Sequence, residues 1–67
     1  MALSARNQIQ GKVTAITRGE AIANVEIDAN GVRLVASITA EAASELGLEE
    51  GTEVTAVIKA SDVILAT

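Results

Sequence analysis

The sequence predicts a mainly β fold in which five short strands carry one short helix between the third and the fourth. Three observations predict it. Apolar and polar residues alternate with period two over most of the chain. An Asn-Gly pair, Asn30-Gly31, sits between two alternating runs, the strongest short hairpin signal. Only in "TAEAASELG", residues 39–47, does the apolar spacing lengthen to that of a helix.

The elements follow in order. Ile9, Gly11, Val13 and Ala15 alternate with Gln10, Lys12 and Thr14, which describes a half-buried first strand. "TRGE", residues 17–20, is a glycine-bearing turn. Ala21, Ala23, Val25 and Ile27 then alternate with Ile22, Asn24, Glu26 and Asp28, a second strand. After "DANG", Val32, Leu34, Ala36 and Ile38 alternate with Arg33, Val35, Ser37 and Thr39, a third. Thr39 can cap a helix, with Glu41 near the positive end of its dipole. Ala42, Ala43 and Leu46 give that helix its apolar stripe, and Gly47 ends it as a left-handed cap. "LEEGTE" is a loop, 54–59 a fourth strand, "KASD" a break, and 63–66 a fifth strand. The order β-β-β-α-β-β is that of a small OB-like barrel, with a five-stranded open sheet carrying one helix as the alternative.

Sixty-seven residues make one domain, 1–67, and a core too small to be comfortable alone. Disulfides and zinc are the usual staples of small scaffolds, but the chain has no cysteine and no histidine. It has no aromatic residue either. Self-association is the remaining staple. "LVASI", "VTAVI" and "VILA" are apolar on both faces, so Val35, Val57 and Ile64 should lie on a surface that another subunit covers.

Composition also narrows the function. A net charge of −4 and the lack of aromatic stacking platforms argue against nucleic acid. No apolar run reaches the roughly 18 residues of a membrane span, and "MALSARNQ" is unlike a signal peptide. The expected address is the cytoplasm. Without His, Cys or Tyr the common general bases and thiol nucleophiles are missing, so no catalytic residues are assigned and no enzyme is expected. The nine carboxylates read as solvated faces, with none placed as a metal ligand.

Two polar segments stand apart: Ser4-Ala5-Arg6-Asn7 before the first strand, and Lys59-Ala60-Ser61-Asp62 after the fourth. Each joins a cation to a hydroxyl within three residues. Read singly, they are a solvated arginine and a capped turn. Read together, they suggest a pocket rich in donors and poor in acceptors. A tetrahedral oxyanion, which has acceptors only, suits such a pocket.

"SARNQIQGKV" and "ASITAEAASELGLEEGTEVTAVIKASDVIL" resemble the molbindins, or Mop proteins, over about residues 4–65. The resemblance implies an OB-like module that binds molybdate, with tungstate as a substitute, for molybdenum storage or homeostasis. It also implies a homo-oligomer, a hexamer built as a trimer of dimers, with oxyanions held between subunits. "LSARNQ" would then be half of a site completed by "KASD" of a neighbouring chain. By position, Ser4, Arg6 and Lys59 match family ligands, while Ala5, Asn7, Ala60 and Ser61 accompany them through main chain or side chain. Thr39 matches a further ligand position, at the helix start. Ala42 and Glu45 stand where the regulator version of the module has a hydroxyl and an arginine. The competing reading is a structural or regulatory interaction module with no working anion site.

Overall fold

The structure, a computed structural model, describes residues 6–67. Its elements run β1 (Asn7–Arg18), β2 (Ile22–Ala29), β3 (Val32–Thr39), α1 (Ala40–Glu45) and β4 (Glu53–Ile58), followed by one 3-10 turn at Ala60–Asp62. The strands form one antiparallel sheet in the order β3-β2-β1-β4.

β1 is long because it serves two neighbours. Its first half, Asn7 to Lys12, pairs with β4, and its second half, Lys12 to Arg18, pairs with β2. The register shifts between Val13 and Ala15, where the strand changes partners. A bulge there bends the strand and coils the sheet. Gly11 sits just before this crossing. A Cβ at that position would lie 2.6 Å from Ile27 Cγ2 and 2.8 Å from the Asp28 carbonyl oxygen, so only glycine lets β2 pass this close.

The β2–β3 hairpin turns where the sequence says it should. Asn30 and Gly31 both have positive φ (54° and 87°), and the Gly31 amide donates to Asp28 Oδ1 at 2.8 Å. The helix also starts and stops as expected. Thr39 Oγ1 accepts from the Ala42 amide at 3.0 Å. At the other end Leu48 N donates to Ala43 O and Gly47 N to Ser44 O, with Gly47 at φ 63°. That pair of bonds is a Schellman motif, and it tucks Leu48 under the helix beside Ala43. Leu46, expected on the helix's apolar stripe, is instead exposed: it falls on the cap, where the chain is already turning away.

The core is small. Val13, Ala23, Val25, Ile27, Ala43 and Leu48 are buried, with Ile16, Leu34, Ala36, Ile38 and Val54 packed partly against them. These inward positions on β1 to β3 are those the alternation marked.

Where five strands were expected, the described residues form four. The sheet is not closed, and residues 63–67 form no strand. The physical reason lies in the turn before them. Asp62 N donates to Lys59 O and Val63 N to Ala60 O, which winds the break into a 3-10 turn. The chain then leaves the sheet, and a segment with no neighbour has no ladder to join. Among the described residues β3 and β4 are the outer strands. As expected, Val35 and Val57 on those edges are exposed, and so is Ile64.

Candidate functional site

The ladder between β1 and β4 ends on the pair Asn7↔Ile58. Opposite Cα atoms in such a ladder are about 5 Å apart, so the residues just beyond it, Arg6 and Lys59, leave from neighbouring backbone. Asn7 Nδ2 donates to the Ile58 carbonyl at 3.2 Å and ties the two segments together. Thus the sheet itself gathers Arg6, Asn7, Lys59, Ala60 and Ser61 at one end of a single chain. Arg6, Lys59, Ala60 and Ser61 are exposed and Asn7 is half-buried. Ser4 and Ala5 lie outside the described residues. The segments named in the sequence analysis thus adjoin within one chain as far as the described residues Arg6, Asn7 and 59–61 go.

The electrostatics of that end are unusual for an acidic protein. Arg33 is paired with Glu26 across the β2–β3 face, the only ion pair among the described residues. Arg18 donates to the Leu48 carbonyl at 2.7 Å and helps hold the loop after α1. Lys12 stands in register with Asp28 on one side and Glu53 on the other. Arg6 and Lys59 follow the last pair of the ladder and form no ion pair among the described residues, and a dianion can accept from both. Lys59 precedes the 3-10 turn, whose first amides, on Ala60 and Ser61, have no acceptor within the turn. The donor set is therefore guanidinium, ammonium, carboxamide, hydroxyl and two amides. Its one nearby acceptor of concern is the exposed Asp62 carboxylate.

Thr39 lies elsewhere. It pairs with Ile22, while Ala40 N donates to Ala21 O, so the helix start adjoins the far end of β1. β1 has 12 residues and bends at its bulge. Thr39 and Lys59 therefore flank opposite ends of β1. Within the chain the Thr39 hydroxyl serves α1 as its cap.

Sequence reasoning missed one polar feature. A groove of about 620 Å³ runs over Gly11, between Lys12, Asp28, Asn30 and Glu53. Two carboxylates flank its one ammonium, so it is a poor place for an anion. The signal in the sequence was Gly11 itself, an isolated glycine inside an alternating run.

Residues 3–65 match the TOBE domain family. Molybdenum-pterin-binding protein 3 of Clostridium pasteurianum is 44% identical over 66 residues, 97% of this chain and 97% of that protein. A molybdate-binding protein from Sporomusa ovata shares the fold with a TM-score of 0.95 at 34% identity, over all of both chains. ModG, described as a cytoplasmic molybdate-binding protein and solved with molybdate bound, superposes with a TM-score of 0.90 at 43% identity; the match covers 96% of this chain and 46% of that one.

Proposed function

This chain belongs to the TOBE domain family and, within it, to the molybdenum-pterin-binding (Mop) proteins, and on that premise we propose that it binds molybdate without catalysis. The observation that carries the reading is the cation pair. β1 and β4 bring Arg6 and Lys59 together with Asn7 and the first amides of the 3-10 turn, where the fold supplies no carboxylate partner among the described residues. Ser4 and Ala5 precede Arg6 and extend the same segment. A tetrahedral dianion accepts from all of these donors.

The active form is a homo-oligomer, a hexamer arranged as a trimer of dimers, with oxyanions held between subunits. Two features support this. Thr39 and Lys59 sit at opposite ends of β1, which favours a site that draws them from two chains. The chain also leaves Val35, Val57, Ile64 and Leu65 exposed around a small core. Tungstate, a dianion of the same shape and charge, occupies the same donors. The protein stores or buffers molybdenum in the cytoplasm. No helix among the described residues is long and apolar enough to cross a membrane.

Native mass spectrometry with and without molybdate tests the reading. A hexamer that gains molybdate-mass increments supports it. A protein that takes up no molybdate at any concentration overturns it in favour of an interaction module.

A further inference from the structure

Asn7 differs from the residues it stands among. Arg6, Lys59, Ala60 and Ser61 are exposed, whereas Asn7 is half-buried. Its carboxamide donates to the Ile58 carbonyl at 3.2 Å, across a separation of 51 residues. Asn7↔Ile58 is also the last register pair of the β1–β4 ladder. Among the described residues no backbone hydrogen bond joins Arg6 to residues 59–61. The side-chain bond is therefore the outermost tie between the two segments, and Arg6 and Lys59 follow directly beyond it. Strand ends fray unless something holds them, so the span from Arg6 to Lys59 depends on this bond and on the ladder behind it. A carboxamide has two N–H groups. One is committed to Ile58, and that tie is what Asn7 gives the site that no neighbouring donor supplies.

We propose that Asn7 is the positioning residue of the anion site. Its bond to Ile58, rather than its remaining N–H, fixes the span between Arg6 and Lys59 and so sets a preference for molybdate over the smaller sulfate. The two are tetrahedral dianions with the same acceptors, and they differ in size. Donors free to shift together or apart satisfy either anion. Donors held at one span favour the anion that fits it, because the cost of ordering them is met before binding and a poor fit cannot be relaxed away. This rests on the molybdate-binding reading above and adds the residue that governs selectivity at the same site.

The test compares the unaltered protein with Asn7→Ala and with a double variant, Asn7→Cys with Ile58→Cys. Opposite Cα atoms in an antiparallel ladder lie about 4.5–5.5 Å apart, a distance that a disulfide spans. The chain has no cysteine of its own, so oxidation makes one bridge across this pair and reduction removes it. Titration calorimetry with molybdate and with sulfate gives both affinities. Asn7→Ala should bind molybdate roughly three- to tenfold more weakly. Sulfate should lose less, so the ratio of the two affinities narrows. The reduced double variant should behave in the same way, and oxidation should restore the ratio. Unchanged molybdate affinity in Asn7→Ala overturns the proposal. An equal loss for both anions overturns it too, since a merely weakened fold gives that result. A loss that the bridge does not repair assigns the effect to the remaining N–H and overturns it as well. So does a pair that will not bridge, because the strand ends then do not stand opposite one another. Hydrogen exchange without any anion follows the tie by itself. Asn7→Ala should speed exchange near Gln8 and Val57 and leave Val13 and Val25 protected. Faster exchange there in a protein that takes up no molybdate supports the tie and overturns the binding reading. Molybdate uptake with exchange at that end unchanged does the reverse.

Discussion

Lys59 and Arg6 owe their interest to what the fold withholds from them. Each is an ordinary exposed cation in isolation, but the Asn7↔Ile58 pair brings their backbones together, and neither is ion-paired among the described residues. If both donate to the oxyanion, Lys59→Ala and Arg6→Ala each weaken molybdate binding by roughly 10- to 100-fold, as measured by titration calorimetry. Unchanged affinity in Lys59→Ala removes it from the site. Two other residues carry structural predictions. Gly11→Ala forces a methyl into Ile27 and the Asp28 backbone, and should cost about 1–3 kcal/mol in urea unfolding. Thr39→Ala removes the bond that caps α1 and should cost about 1 kcal/mol. If Thr39 also binds anion from a neighbouring subunit, the same variant loses molybdate affinity; if it only caps, affinity stays.

At the scale of elements, local chemistry and local structure agree wherever one short stretch carries its own instructions. The Asn30-Gly31 turn, the Thr39 cap and the Gly47 stop all stand where residue type alone put them. Replacing Gly31 by Val would place a β-branched side chain at positive φ, and should destabilise the hairpin by about 1 kcal/mol or more, read as a lower urea midpoint. The fifth strand is the element for which alternation was not enough. Residues 63–66 have strand-like composition, yet a strand exists only with a partner to pair with, and the 3-10 turn denies them one in the single chain. The long β1 is the complementary case. Its sequence shows alternation only to Ala15, but pairing with β2 carries the strand on to Arg18.

For the whole molecule the argument is one of surface against core. Buried side chains are few and mostly small, whereas Ile64 and Leu65 are almost fully in water. A chain of this size gains by covering that surface with a second copy. Its thermal midpoint should therefore rise with protein concentration, and rise further with molybdate. Ligand at about one hundred times its dissociation constant adds about 2.7 kcal/mol to the native state. Differential scanning fluorimetry at several protein concentrations separates the two effects. A midpoint that ignores concentration argues against assembly, and one that ignores molybdate argues against binding.

The amino-acid order by itself determined the first three strands, the hairpin, the capped helix and the inward positions Val13, Val25 and Ile27. Each depends on period and on turn chemistry within a few neighbours. It also marked Arg6, Asn7, Lys59 and Ser61 as polar company worth explaining. Only the tertiary structure decided that these two segments, more than fifty residues apart, meet at one end of one chain while Thr39 stands at the other. It alone showed that the described strands form an open sheet. Both facts depend on which strand lies beside which, and pairing between distant strands is a property of the assembled sheet that no local stretch encodes.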